Sequence, residues 1–281
     1  MRFSLIVATL GRTAELRRLL ESLAVQTHQD FEVIVVDQNP DDRVTQILAS
    51  FASQMRIKLL VAQPGVSWAR NLGLKAVSGE VVAFPDDDCW YPSSLLEQVR
   101  NLFSRPENWD GVIGHLVDDA GKAIFPWNDK AGPLSLAMSW RRAGTCSYFL
   151  RKKVTDRMAG FDETLGPGAG TPWGTGEDND YMLRVLELGF SVYFDPALIV
   201  HHPPMFLSWD DTARQKKYHY SLGDGRMLRK HPMPLWWKLA FFGVPLARLV
   251  LATLKCAGDE VRFHWVTFTG RCHGYFRRLQ N

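Results

Sequence analysis

Between Phe3 and Phe84, four short apolar runs alternate with helix-length segments, and each run ends in polar residues or glycine. Phe3–Thr9, Phe31–Val36, Ile57–Val61 and Val81–Phe84 are apolar along most of their length, as strands are when both faces of a sheet are covered. Thr13 is a candidate cap for a helix with Leu16, Leu19, Leu20 and Leu23 on one stripe. A second helix is expected over roughly 42–53, and a third from Gly65 to about Val77. This alternation predicts an α/β fold, a Rossmann-like, mostly parallel sheet flanked by helices. Ligands of such sheets bind outside the carboxyl ends of the strands. Those ends here are Thr9–Arg12, Asp37–Asn39, Gln63–Gly65 and Asp86–Asp88, which places a site there.

Asp86-Asp87-Asp88 follows the fourth strand and precedes Pro92, where a helix is expected to begin. Three adjacent carboxylates repel one another unless a cation offsets the charge. Hard divalent ions take carboxylate oxygens, and Mg²⁺ commonly uses one or two together with substrate phosphates. An acidic turn capping a helix is the structural alternative. Asp37 ends the second strand, where an acid can accept hydrogen bonds from a base or ribose; a plain loop aspartate is the alternative. Arg70 and Asn71 fall in the first turns of the third helix, and a helix N-terminus plus arginine suits phosphate or a polar base. The G-x-G-x-x-G and P-loop spacings are absent, so an ordinary dinucleotide site and an NTPase are both unsupported.

From about residue 105 to 176 the periodicity weakens. A strand at Gly144–Leu150 and a loop at Gly160–Gly176 can be placed, then a helix from Asp180 to Leu188 closed by Gly189 and a strand near Ser191–Phe194. Glu177 and Asp178 stand where the loop meets the helix. The helix dipole alone favours acids there. The glycines around Trp173 read instead as a mobile loop, beside which a carboxylate can act as general base towards a hydroxyl. His201-His202 follows an apolar run. Such a pair is more often structural, but neutral imidazole can complete a metal site built from carboxylates.

Charge divides the chain unevenly. Residues 1–202 carry 20 basic and 25 acidic side chains, whereas residues 203–281 carry 13 and 5. Pro203-Pro204 marks the expected boundary between a catalytic domain (1–202, with halves 1–104 and 105–202) and a basic, aromatic, helical extension (203–281). Lys238, Arg248 and Pro245 interrupt the apolar stretch from Leu235 to Leu254, so a membrane span is not expected. Arg248, Lys255 and Arg262 recur every seven positions, as on one face of a helix lying in a membrane interface with Trp236 and Trp237 as anchors. A helix packed on protein is the alternative. The four cysteines show no C-x-x-C pair, and Met1–Leu10 lacks a small-x-small cleavage pattern. Both features fit a reducing compartment.

Taken in order, these motifs resemble those of the inverting family 2 glycosyltransferases with the GT-A fold, of the non-processive type. Val7–Arg12 is similar to the family's opening strand and loop, and Asp37 to its base-contacting acid. Gly65, Ala69-Arg70-Asn71 and Gly73 resemble its G-x-x-x-A-R-N-x-G helix. Asp86-Asp87-Asp88 resembles the D-x-D metal motif, with Cys89 where many relatives carry an acid. Gly160-Phe161-Asp162-Glu163 resembles the G-F-D-E turn, and Glu177-Asp178 the E-D pair. His202 lies 24 positions after Asp178 and six after Pro196, matching the family's histidine better than His201 does. The Q-x-x-R-W motif of processive synthases is missing.

The resemblance implies transfer of a sugar from a nucleotide donor, UDP-linked by family precedent, to a hydroxyl of a glycan or lipid-linked acceptor in cell-envelope polysaccharide synthesis. Asp178 would be the base, assisted by Glu177. Thr9, Arg12, Asp37, Arg70, Asn71, Asp86 and Asp87 would bind the donor. Asp86, Asp88 and His202 would hold Mn²⁺ or Mg²⁺, and Trp173, Gly174 and Glu177 would place the acceptor. The enzyme would sit in the cytoplasm, peripheral to the membrane's inner face, attached to anionic lipid through residues 233–262, with no nucleic acid partner. Two other readings remain at this point. A nucleotidyltransferase would need a longer triphosphate loop than Thr9–Arg12. A non-catalytic membrane adaptor would not need the whole acidic set.

Overall fold

A computed structural model describes residues 1–124, 130–142, 144–204 and 210–277. The N-terminal part begins β1 (Phe3–Thr9), α1 (Ala14–Ala24), β2 (Phe31–Asp37), α2 (Arg43–Ala49), β3 (Arg56–Val61), α3 (Val66–Leu74), β4 (Val81–Ala83) and α4 (Leu95–Phe103). It continues β5 (Gly111–Val117), β6 (Gly132–Pro133), α5 (Leu136–Arg142), a 3₁₀ turn at Thr145–Ser147, β7 (Tyr148–Arg151), α6 (Lys152–Arg157), α7 (Glu177–Glu187) and β8 (Val192–His201). The extension is α8 (Asp211–Lys230), α9 (Leu235–Leu254) and α10 (Gly258–Phe276).

One sheet runs in the order β3-β2-β1-β4-β7-β5-β8-β6. β3, β2, β1 and β4 are mutually parallel, so their carboxyl ends emerge along one edge. β7 is antiparallel to both β4 and β5, which pair across it. Strand alternation divides the core into two layers. Leu5, Val7, Val33 and Val35 pack beneath α1, α2 and α4, while Ile6, Ile34 and Val36 pack beneath α3 and α7.

The structure modifies several expectations. β3 is a sheet edge, and Leu59 and Val61 are 38% and 72% exposed rather than covered on both faces. Thr13 occupies the cap position of α1 without a side-chain capping bond. The expected strand from Gly144 begins as a 3₁₀ turn, and α7 starts at Glu177, three residues earlier than expected. Arg248, Lys255 and Arg262 do not share one helix face. α9 ends at Leu254, Cys256 takes φ of 53°, and Arg262 belongs to α10.

The extension shares a core with the N-terminal part. Trp237 and Phe241 of α9 are buried with Leu165, Trp173 and Leu183, and Trp237 packs on Trp140 at 4.8 Å between ring centroids. The reading of Trp237 as a lipid anchor is therefore corrected, whereas Trp236 is 62% exposed. Charge also joins the two parts. Asp180 of α7 meets Lys230 at 2.5 Å, Arg184 at 2.8 Å and His231 at 3.1 Å. α8 and α10 approach closely because Gly225 and Gly274 face backbone, and a methyl group at either would strike Arg271 or Leu222. The Gly270-x-x-x-Gly274 spacing is the sequence signal of that contact. α9 is, among the described residues, the one helix long and apolar enough to cross a membrane.

One polar node lies inside the sheet. Glu32 on β2 is 4% exposed, and accepts hydrogen bonds from the Ser4 and Ser78 hydroxyls at 2.6 Å and an ion pair from Lys58 at 2.8 Å. Burial alone would raise its pKa, but the bonds from Lys58, Ser4 and Ser78 bring it down to about 2. A depressed carboxylate contributes stability above its unfolded pKa, lost as pH falls through the folded value. Glu32→Gln is expected to cost about 1–3 kcal/mol at neutral pH, and less as pH falls from about 4.5 towards 2. Urea unfolding across that range checks it; a pH-independent difference would overturn the assignment.

Candidate active site

Parallel pairing brings four strand ends together, and side chains then lace them to one another. Gln38 N–H donates to the Thr9 carbonyl at 3.0 Å. Its side-chain oxygen accepts from Gly65 N–H at 2.7 Å. Asn39 accepts from Gly11 N–H at 2.7 Å and donates its side-chain amide to Asp37 at 2.7 Å. Asp37 is thereby buried and oriented at the end of β2. Gln38 and Asn39 lay within the strand-end segment read from the sequence, but their latching role was not legible there.

Five carboxylates surround two arginines at the end of β4. Arg70 is 4% exposed; its Nη2 donates to Asp86 at 2.7 Å, and its Nη1 to Asp178 at 3.1 Å and Glu177 at 3.4 Å. Arg12 reaches Asp87 at 2.5 Å and Asp88 at 2.9 Å. Burial would weaken the Arg70 charge, but Asp178, Asp86 and Glu177 raise its pKa and keep it cationic. Glu177 shifts upwards, first because it is buried and second because Asp178 stands beside it. Burial also raises Asp86 and Asp87, opposed by Arg70 and Arg12 respectively.

Asp86, Asp88 and His202 offer donor atoms that all lie within 4.8 Å of one another. His202 Nε2 is 3.5 Å from Asp88 and 3.9 Å from Asp86. Its Nδ1 donates to the Pro203 carbonyl at 2.6 Å, which leaves the Nε2 lone pair facing the acids. Asp88 Oδ1 is buried without a hydrogen-bond partner. Two carboxylates, one orphaned oxygen and a correctly turned imidazole suit a hard or borderline divalent cation. His201 turns away and stacks on Trp90 at 4.9 Å. Cys89 is fully buried and outside this group.

Asp178, the second residue of α7, has its carboxylate fixed on two sides, by Arg70 and by the Thr145 hydroxyl at 2.7 Å. Thr145 lies in the stretch of weak periodicity and gave no sequence signal. Tyr220 of α8 faces the same acids. Its pKa is pushed up to about 12, by burial and then by Glu177, Asp178, Asp86 and Asp88.

Two expected contacts are corrected. Trp173 is fully buried beneath the extension, so its ring has no surface to offer an acceptor. Asn71 clamps the 160–163 turn, donating to the Phe161 carbonyl at 3.0 Å and Glu163 at 2.8 Å and accepting from Phe161 N–H at 2.7 Å. The glycines of the following loop answer a backbone demand. Gly166, Gly168, Gly170 and Gly176 all take positive φ, and a Cβ on Gly166 would lie 2.9 Å from the Glu177 carboxyl. Gly174 remains partly exposed on that loop.

Comparison with known proteins places the chain. Residues 4–157 match the family described as glycosyl transferase family 2. An uncharacterized glycosyltransferase of Nostoc sp. is 32% identical over 177 residues, covering 58% of this chain and 54% of that protein. A validoxylamine A glucosyltransferase of Streptomyces hygroscopicus subsp. jinggangensis is 27% identical over 292 residues, covering 86% of this chain and 64% of that protein. The chain thus spans less than two thirds of either relative's length. Among solved structures, the mannosyltransferase PcManGT from Pyrobaculum calidifontis, in complex with GDP-Man and Mn²⁺, superposes with TM-score 0.69 at 14% identity, over 98% of this chain and 87% of that one. S. aureus TarS 1-349 gives 0.62 at 17% identity, over 99% and 93%. At those identities the likeness is one of fold.

The Arg70 cluster makes a stability prediction. Removing the arginine leaves buried like charges uncompensated, so Arg70→Ala is expected to cost about 3–5 kcal/mol. Chemical denaturation measures it, and a loss below about 1 kcal/mol would mean that water replaces the guanidinium at little cost.

Proposed function

The chain belongs to glycosyl transferase family 2 and has the GT-A fold, and on that premise we propose that it transfers a sugar from a nucleotide-sugar donor to an acceptor hydroxyl with inversion at the anomeric carbon. The observation that carries this reading is the double grip of Arg70, which joins Asp86 of the cation-binding group to Asp178 at the start of α7. The two acids are held in one cluster, as a displacement with a base on one side and a diphosphate on the other requires.

Asp37, Thr9 and the latched strand ends receive the nucleotide, with Asp86 and Asp87 towards the ribose. Arg12 lies where it can exchange a carboxylate for a phosphate oxygen. Asp86, Asp88 and His202 would hold a divalent ion, which when bound offsets charge on the departing diphosphate. Asp178 removes the acceptor proton as the new C–O bond forms and the bond to the diphosphate oxygen breaks. Thr145 and Arg70 aim its carboxylate, and Glu177 helps to hold Arg70. The lip around Gly174 and Tyr220 borders the acceptor side. Solved neighbours carry UDP, UDP-GlcNAc or GDP-Man, which supports a nucleoside-diphosphate sugar as donor. The exposed face of α9 supports attachment to the cytoplasmic membrane surface beside a lipid-linked glycan acceptor.

Asp178→Asn is expected to lower kcat by roughly 10²–10⁴-fold while donor affinity is kept, since only the base is lost. Calorimetric titration with UDP, GDP and dTDP, paired with turnover on a nucleotide-sugar panel, measures both; unchanged turnover would remove Asp178 from this role.

For the cation, Asp88→Ala is expected to abolish Mn²⁺-dependent nucleotide binding while the fold survives. His202→Ala should impair it far more than His201→Ala. Chelation should stop transfer and added Mn²⁺ or Mg²⁺ restore it; full activity in excess chelator would refute the metal assignment.

A further inference from the structure

The transfer site leaves one concave surface beside it unused. A cavity of about 290 Å³ lies between residues 63–65 and Trp68 on one side and Glu163, Leu165 and residues 168–169 on the other. Small-molecule sites are concave and set a few polar groups among apolar walls, and this volume stands at the small end of their range. Residues 63–65 follow β3, so a strand's carboxyl end supplies one rim. Trp68 falls in the first turn of α3. Ser67 beside it is buried and donates its hydroxyl to the Leu165 carbonyl at 2.8 Å, which clips the opposite wall to the helix. Gly168 takes φ of 78°, and a Cβ on it would lie 2.8 Å from the Gly65 nitrogen. The two walls therefore keep a fixed spacing.

Three side chains decide what fits there. Trp68 points away from Arg70, two positions on, and is 52% exposed where Arg70 is buried. Its indole presents a flat apolar face to the cavity. Gln63 is exposed and offers an amide that both donates and accepts. One Glu163 oxygen accepts from Asn71 at 2.8 Å, which fixes the carboxylate and leaves its second oxygen without a partner among the described residues. No lysine or arginine lines the cavity, so it lacks the counter-charge a phosphate needs. An alkyl chain would strip water from Gln63 and Glu163 without replacing its hydrogen bonds. A pyranose ring meets both demands, with its C–H face on the indole and its hydroxyls on the amide and carboxylate.

Position connects the cavity to the transfer chemistry. Gly166, between Leu165 and Gly168 in the chain, has α3 on one side and the candidate base's neighbour on the other. A Cβ there would lie 2.8 Å from the Val66 side chain and 2.9 Å from the Glu177 carboxyl. One loop's thickness thus separates the cavity from the acid next to Asp178. The crest of that loop, Pro167 and Gly168, is exposed and carries no long side chain.

We propose that this cavity is a second acceptor subsite, which holds a neutral sugar ring of the acceptor glycan while the reacting hydroxyl lies at Asp178. The inference rests on the reading of the chain as a transferase acting on a glycan acceptor, and adds where a unit remote from the reacting hydroxyl is held. Preference for glycans longer than one sugar then belongs to α3 and the 165–169 loop.

The test uses the full chain, an array of neutral and uronic-acid-containing oligosaccharides, and calorimetry on the sugars retained. The wild type should retain neutral oligosaccharides and pass over the uronic acids, because Glu163 faces the ligand. Trp68→Ala should weaken that binding roughly tenfold or more, as loss of a tryptophan anchor does, and Trp68→Phe should restore most of it. Gln63→Ala should weaken it roughly fivefold, the share of one hydrogen bond. Mn²⁺-dependent binding of UDP or GDP by Trp68→Ala should match the wild type. A wild type that retains no neutral oligosaccharide, or a Trp68→Ala that binds them undiminished, would overturn the subsite while nucleotide binding leaves the transfer reading standing. If Trp68→Ala unfolds on circular dichroism, undiminished binding by Gln63→Ala overturns it instead. Loss of nucleotide binding by folded Trp68→Ala would assign the cavity to the donor and overturn the proposal. Failure of the wild type to bind any nucleotide would overturn the transfer reading itself.

Discussion

A buried arginine among carboxylates is the constraint on which the site depends. Asp86, Asp178 and Glu177 come from the end of β4 and the start of α7, two segments far apart in the chain. Without Arg70 their charges would drive these segments apart or force protonation. With it, the guanidinium ties Asp86 to Glu177 and to Asp178, the candidate base, at distances of 2.7 to 3.4 Å. The position of Arg70 follows from α3, whose start is set by Gly65, itself latched to β2 through Gln38. A charge cluster that is costly by itself becomes tolerable because the sheet delivers its counter-charge.

The extension belongs to this arrangement as much as the sheet does. α7 carries Asp178 near its start and Asp180 two residues on, and Asp180 is held by Lys230 and His231 at the end of α8. Trp173 completes the same joint from the loop side, packed with Met227 and Trp237. The helices that bring charge and apolar surface to the outside of the protein therefore also brace the helix bearing the candidate base. A displacement of α8 would be felt at Asp178 through Asp180 and at the acids through Tyr220.

Much of this is legible in the amino-acid sequence alone. Strand–helix alternation specified the parallel half of the sheet, because the hydrophobic period and the need to cover both faces leave few alternatives. The strand-end acids, Arg70 and the acidic start of α7 were legible because each is a local departure from the pattern around it. β3 as an open edge was not, since the order of strands in a sheet is a long-range property. The strands and turns between 105 and 176 were weakly legible for the same reason: β7 runs antiparallel between β4 and β5, and its pairing is set by partners remote in sequence.

What the sequence by itself determined was the inventory: which groups are acidic, basic or apolar, and which stand at the ends of elements. Side-chain direction was decided only by tertiary structure. Trp173 and Trp236 are both read from the sequence as reaching outwards, one to an acceptor and one to lipid, yet one is fully buried and the other 62% exposed. Asn71 adjoins Arg70 but turns to the 160–163 turn, and His201 stacks on Trp90 while its neighbour joins Asp86 and Asp88. Adjacent residues on a strand or helix point in different directions, and which direction meets a partner depends on segments a hundred residues away. Spacing along the chain places a residue on an element; only packing decides what its side chain touches.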